Sequence, residues 1–109
     1  MTARDKLLDS LYAARKQLNR LIIATAPEPD EVDELEVLLE KQNKLVWEIN
    51  RLVQSELVAS AAGLAKASAA IDQSTKKLRA LTAKVHNIAK AIATADKVIA
   101  IVAAVVTKI

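Results

Sequence analysis

The sequence predicts an all-α protein, and three observations carry that prediction. Ala fills 21 of the 109 positions, and Ala is the strongest helix former. One Gly and two Pro leave little chemistry for the turns that link strands. Apolar residues recur at spacings of three and four, which is the period of a helix with one apolar face. The length suits one helical domain over 1–109.

The first predicted helix runs from about residue 4 to residue 25. Its apolar residues follow one another at spacings of four and three, the pattern of a helical seam. They are Leu7, Leu11, Ala14, Leu18 and Leu21.

A proline turn at 26–30 is predicted to end this helix. Pro27 and Pro29 each remove a backbone donor and disfavour helix in the residue before them. Asp30 can then cap the next helix, whose acidic start suits the positive end of the helix dipole. A connection this short predicts a helical hairpin of antiparallel neighbours.

The second predicted helix covers about 30–62 and carries one broad apolar face. That face comprises Leu35, Leu38, Leu39, Leu45, Val46, Ile49, Leu52 and Val53. Gln42 interrupts it, either fixing the register of a seam or facing solvent at its edge. Trp47 lies on the opposite side by helical geometry, and we expect it to contact the third segment or a partner.

The third predicted helix covers about 63–108, and it bears an unbroken heptad repeat. Apolar residues fall at every seventh position from Leu57 to Val106, which predicts a coiled coil. No turn residue separates this region from the second helix, since one Gly costs only about 1 kcal/mol relative to Ala. The favoured expectation is therefore a continuous or gently bent rod from residue 30, about 115 Å long. The alternative is a bend near Gly63 that folds the chain back.

The seam of such a rod would have no partner within the chain. Exposing it would forfeit on the order of 10 kcal/mol, which rivals the stability of a whole domain. The sequence therefore predicts a non-enzymatic interaction or assembly module that buries this seam against another copy or a partner helix. The expected partner-binding residues are Leu64, Ile71, Leu78, Val85, Ile92, Ile99, Val102, Val106, Ile109 and Trp47.

Two other functions compete with assembly. Residues 98–106 are apolar on every side, which is typical of a buried or membrane-associated helix, so lipid insertion of this end is the alternative. The basic face of 66–97 could contact phosphates, but without interleaved aromatics a nucleic-acid partner is disfavoured.

The composition argues against enzyme chemistry. The sequence has no Cys, so thiolate chemistry is excluded. It has one His, His86, and one Gly, which are too few for a multi-histidine metal site or a glycine-rich phosphate-binding loop. We therefore expect no catalytic residues, cofactor, metal or small-molecule substrate. The lack of Cys and of a signal peptide predicts a cytoplasmic protein, with export without a classical signal and peripheral membrane association left open.

Overall fold

The described residues form a bundle of four α-helices, which confirms the all-α prediction. The computed structural model describes residues 2–25, 29–54, 61–82 and 88–107. Helix α1 spans Ala3–Ala24 and helix α2 spans Val32–Gln54, preceded by a 3-10 turn at Pro29–Glu31. Helix α3 spans Ala61–Thr82 and helix α4 spans Ile88–Thr107.

Helix α1 begins with a reciprocal cap between Thr2 and Asp5. The backbone N–H of Asp5 donates to Thr2 Oγ1 over 3.1 Å, and the backbone N–H of Thr2 donates to Asp5 Oδ2 over 3.3 Å. Both donors would otherwise lack a partner within the helix. Hydrogen bonding to Thr2, through its side chain and then its backbone, holds the pKa of the Asp5 carboxyl below its ordinary value.

The helices pack in a ring in the order α1, α3, α4, α2. The most extensive contacts join α1 to α3 and α2 to α4, followed by those between α3 and α4 and between α1 and α2. Helices α2 and α3 are consecutive in the chain but lie on a diagonal of this ring. The chain therefore crosses from one side of the bundle to the other after Gln54.

Contacts between helices set their directions. Arg4, at the start of α1, donates to the carbonyl oxygens of Leu52 and Val53 at the end of α2, so these two helices are antiparallel. Gln17 of α1 donates to Oγ1 of Thr82 in the last turn of α3, over 3.0 Å. Because α3 starts only seven residues after α2 ends at that same end of the bundle, α3 runs alongside α1 in the same direction.

One core fills the centre of the bundle, and every helix contributes to it. Its largest fully buried apolar side chains are Leu7, Leu11, Leu18, Leu38, Leu45, Leu52, Ile71, Leu78, Val98 and Val102. Small buried residues lie on the two helices with the most extensive contact: Ser10 and Ala14 on α1, and Ala67, Ser68 and Ser74 on α3. Small side chains at a helix contact let the two axes approach closely.

The rod expected over residues 30–107 is wrong. The molecule is 46 Å in its longest dimension, far short of the expected length. The chain is helical to Gln54 and again from Ala61, and α3 and α4 return alongside α1 and α2. Gly63, where a bend was the alternative expectation, lies within the first turn of α3. Folding back is favoured because it covers the heptad seam with the chain's own helices.

A second difference concerns the helix expected over 63–108, which is two helices, α3 and α4. Their buried stripes do not continue one another. In α3 the stripe includes Ser68 and Thr75, each four residues after a heptad residue, Leu64 or Ile71. In α4 it includes Ala91 and Val98, each one residue before a heptad residue, Ile92 or Ile99. Each of these helices packs against two others, so its buried stripe is wider than the two rows of a simple coiled-coil seam.

Candidate partner-binding surface

The residues predicted to meet a partner are mostly part of the intramolecular core. Leu64, Ile71, Leu78, Ile99 and Val102 are buried by the chain's own helices. Ile92 is half-buried against the same core. Val106 lies within α4, and Val85 and Ile109 lie outside the described residues. The expectation that this seam lacks an internal partner is corrected: α1 and α2 provide that partner.

Among the predicted residues whose side chains the structure describes, Trp47 is the exposed one. Its side chain is 56% exposed, although Trp is costly to leave in water. Arg51, one turn later, places its guanidinium carbon 4.9 Å from the ring centroid. Arg51 also donates to both carboxylate oxygens of the buried Glu48, over 3.2 and 3.3 Å. The guanidinium thus holds one side of the indole while the rest of the ring faces solvent.

The broad apolar face expected on the second helix divides into two. Leu38, Leu45, Ile49 and Leu52 point into the core. A second row, here called the α2 stripe, is formed by Val32, Leu39, Val46 and Val53. Its members recur at every seventh residue, so they share one side of the helix within about 60°. Val46 is half-buried and the other three are exposed, so the broad apolar face expected on this helix consists of a buried row and a largely exposed one.

The α2 stripe borders a groove between α1 and α2. The groove has a volume of about 580 Å³ and is lined by Tyr12, Arg15, Lys16, Asn19, Gln42 and Val46. Gln42 donates to Oδ1 of Asn19 across it, over 3.2 Å. Gln42 is therefore half-buried at the edge of the bundle, where its side chain links α2 to α1. The groove exists because α1 and α2 make the least extensive contact among the four neighbouring pairs.

The groove and the α2 stripe together form what we call the α1–α2 face. Its apolar residues include Tyr12, which is exposed, and Leu8, which is half-buried. Its polar residues include the uncharged Asn43 and Asn50 beside the stripe and the basic Arg15 and Lys16 in the groove. Large apolar side chains with arginine nearby are enriched at protein interfaces.

The opposite side of the bundle, formed by α3 and α4, has a different composition. The described parts of these helices carry six basic and two acidic residues. A shallow groove of about 360 Å³ between them is lined by Lys77, Ala80, Leu81, Lys90, Ala93 and Thr94. Apart from Leu81, its apolar lining consists of Ala, so this groove offers little area to an apolar partner.

Metal centres and membrane-spanning helices have definite structural requirements. Across 2–25, 29–54, 61–82 and 88–107, no three His, Cys, Asp or Glu side chains come together as metal ligands would. Within those ranges, no helix has the length and apolarity needed to cross a bilayer. His86 lies outside the described residues.

No family model, curated protein or solved structure matches this chain.

The sequence analysis missed the α2 stripe as a separate surface. The signal was present, because Val32, Leu39, Val46 and Val53 keep a strict seven-residue spacing. The core residues of α2 lie only about 100° from the stripe around the helix axis, so the sequence pattern alone shows the two rows as one wide apolar face. Only the position of α1 beside α2 separates the two rows.

Proposed function

We propose that this protein is a non-enzymatic interaction or assembly module that binds a protein partner through the α1–α2 face. The observation that carries the proposal is the exposed α2 stripe beside an open groove. This assignment replaces the heptad residues of α3 and α4 as the binding surface, since the chain's own helices bury them.

The spacing of the stripe supports a helical partner. Apolar residues at every seventh position form one of the two apolar rows of a coiled-coil seam, and the adjoining row is polar, with Glu36, Asn43 and Asn50. An amphipathic helix laid along a groove is a common mode of recognition. Full burial of each exposed Leu or Val would contribute about 1.5–3 kcal/mol before the costs of association.

The test is capture of partners by a tagged chain, with cross-linking in cells and quantitative mass spectrometry. Leu39→Glu with Val46→Glu places two charges on the stripe, and we expect at least a tenfold loss of the captured proteins. Ala93→Glu with Ala100→Glu is the matched control, because these residues are also seven apart and lie exposed on α4. Equal capture by both double variants would contradict the proposal, provided that circular dichroism shows both to be folded.

A second candidate function is contact with an anionic membrane surface through the α3–α4 side. The observation that favours it is Lys77 and Lys90 flanking an apolar groove on a basic side of the bundle. Co-sedimentation with phosphatidylserine vesicles tests it. Lys77→Glu with Lys90→Glu should abolish binding, whereas Arg15→Glu with Lys16→Glu, on the other face, should leave binding intact.

A further inference from the structure

We infer that the occupant of the α1–α2 face is an amphipathic helix of another protein, which carries acidic residues near the middle of its length. The inference rests on the proposed function, because it gives the chemistry of the partner for that same face. Two features carry it. Both walls of the groove offer apolar side chains, and a basic pair at mid-length has no acidic partner among the described residues.

The basic pair, Arg15 and Lys16, belongs to the α1 wall of the groove. Both side chains are exposed, and no acidic side chain is among the described residues that line the groove. The ion pairs of the described residues are those of Lys41 and Arg51, so the basic pair takes part in neither. The guanidinium carbon of Arg15 lies 6.0 Å from the centroid of the Tyr12 ring. An arginine beside an aromatic ring is a combination enriched at the energetic centres of protein interfaces.

The acidic residues of this face lie towards its two ends. On α1, Asp5 and Asp9 precede the basic pair, and Asp9 is about 9 Å from it along the axis at 1.5 Å per residue. On α2, Glu36 lies on the other side of the contact between Asn19 and Gln42, because the two helices are antiparallel. A complementary partner therefore carries its negative charge at mid-length, opposite the basic pair, and not at its ends.

The apolar residues of the face lie on both sides of the hydrogen bond that crosses the groove. On the side nearer the start of α1 are Tyr12 and Val46, which both line the groove. On the other side are Ile23 of α1 and Leu39 of α2, which are 74% and 40% exposed. Ile23 follows Tyr12 by eleven residues, so the two lie within about 20° of each other around α1. An incoming helix thus finds apolar contacts on both walls.

The length and regularity of the face suit a helix of about three heptads. The α2 stripe runs from Val32 to Val53, which is about 32 Å at 1.5 Å per residue. A helix that lies along it can place one apolar residue against each member of the stripe, because both repeat every seventh residue. An extended peptide is recognised instead by an exposed sheet edge, and the described residues contain no strand.

A flat anionic membrane fits this face less well than a helix does. Asp5, Asp9 and Glu36 are exposed on the same side of the bundle as the groove and would be repelled by anionic headgroups. Val46 is half-buried in the wall of the groove, where a helix that lies between α1 and α2 can reach it.

The first measurement uses two synthetic peptides of three heptads, with Leu at the first and fourth positions of each heptad. One peptide carries Glu at the positions that flank the Leu rows in its central heptad, the other carries Lys there, and the two are otherwise identical. Fluorescence anisotropy with labelled peptide at nanomolar concentration gives each dissociation constant. At low ionic strength we expect the Glu peptide to bind about tenfold tighter or more, and this ratio should shrink at high salt. Equal binding, tighter binding of the Lys peptide, or binding of neither peptide would overturn the inference.

The second measurement locates the preference on the basic pair. Arg15→Glu with Lys16→Glu should make the Lys peptide the tighter ligand. Lys77→Glu with Lys90→Glu is the matched control, because it changes the net charge equally on the α3–α4 side and should keep the preference for the Glu peptide. All four residues are exposed, so both variants should fold, which circular dichroism checks. If the two variants shift the preference equally, it comes from the net charge of the chain and the inference is wrong.

The results separate this inference from the proposed function. Peptide binding without a charge preference, together with stripe-dependent capture of a protein, overturns the acidic helix and leaves the interaction function standing. A solution mass of twice 11.8 kDa that Leu39→Glu with Val46→Glu returns to one chain also overturns it, with a second copy as the occupant. Stripe-dependent binding to phosphatidylserine vesicles in place of peptide binding overturns it in favour of lipid. If the stripe variant changes neither peptide binding nor capture, both the inference and the proposed function fall.

Discussion

Helices α2 and α4 lie side by side in the bundle, yet they differ in how many of their large apolar side chains are exposed to solvent. Helix α4 is the more apolar of the two by sequence, with Ile, Val and Ala through most of its length. Among its side chains that the structure describes, none of the large apolar ones is exposed. Helix α2 is rich in charge, yet it exposes Val32, Val37, Leu39, Trp47 and Val53.

The difference teaches that apolar content and apolar position carry separate information. Helix α4 reserves its branched residues for the core and shows Ala and charged residues such as Lys97 to solvent. Its large apolar residues are therefore explained by stability alone. Helix α2 satisfies the core with Leu38, Leu45 and Leu52 and still carries a second apolar row that no internal contact requires. That excess is what points to a partner.

The largest expected change in the free energy of unfolding comes from placing a carboxylate on α4 and, separately, on α2. Val102→Asp puts a carboxylate into the core on α4, and we expect a loss of more than about 4 kcal/mol, because a buried charge without a partner is expensive. Leu39→Asp, on the exposed row of α2, should change the free energy of unfolding of the monomer by less than about 1 kcal/mol. Urea denaturation at low protein concentration measures both. A comparable loss for Leu39→Asp would abolish the distinction between the helices.

A smaller loss of stability is expected when the same substitution to Ala is made in each of the two apolar rows of α2. Leu45 is buried and Leu39 is exposed. Leu45→Ala should cost about 2–5 kcal/mol through lost burial and a cavity. Leu39→Ala should cost well under half of that in the unbound chain. Thermal melts of the two variants measure these costs, and equal costs would show that the stripe belongs to the core.

The sequence alone could predict some features of this fold and not others. It predicted the helical class, because Ala content and helical periodicity act within single segments. It could not predict the separation of α3 from α4, since residues 83–87 contain neither Gly nor Pro and the heptad spacing continues through Val85. The signal available was Asn87, a residue type preferred at helix N-caps, directly before Ile88.

The binding surface was harder to predict than the fold. Whether a helix shows one wide apolar face or two rows depends on which neighbours cover it, and that follows from the ring order of the bundle. The heptad residues of α3 and α4 were correctly recognised as needing burial, but their partners proved to be α1 and α2 of the same chain. Trp47 could be singled out from sequence because it lies away from every core row.

Removing one polar contact inside the bundle should lower the free energy of unfolding modestly. Gln17 is buried and donates to Thr82, which in turn donates to the carbonyl oxygen of Leu78. Gln17→Met keeps the side-chain length and removes this hydrogen bond between α1 and α3, so we expect a loss of about 1 kcal/mol. Gln73→Met, at an exposed position of α3, is the control and should be nearly neutral. Chemical denaturation measures the pair, and a neutral Gln17→Met would show that the contact adds no net stability.

The smallest effect is expected at the cap of α1. Thr2→Ala removes the hydroxyl that accepts from Asp5, at a cost of about 1 kcal/mol or less at neutral pH. Because the pKa of Asp5 is lowered by folding, its contribution is fully present above the ordinary carboxyl pKa of about 4 and is lost as the pH falls through the lowered value. The difference between wild type and variant should therefore shrink at low pH. A difference that is constant from pH 7 to pH 2 would contradict this account.

The diagonal crossing between α2 and α3 has a consequence for how the chain could be divided. The two most extensive helix contacts, α1 with α3 and α2 with α4, each join one helix from before the crossing to one from after it. Residues 1–54 and 61–109 thus hold complementary halves of the two most extensive interfaces, and neither half can complete the core alone. Separating the chain between Gln54 and Ala61 should give two fragments that fold only on meeting, so the bundle is a natural candidate for a split reporter.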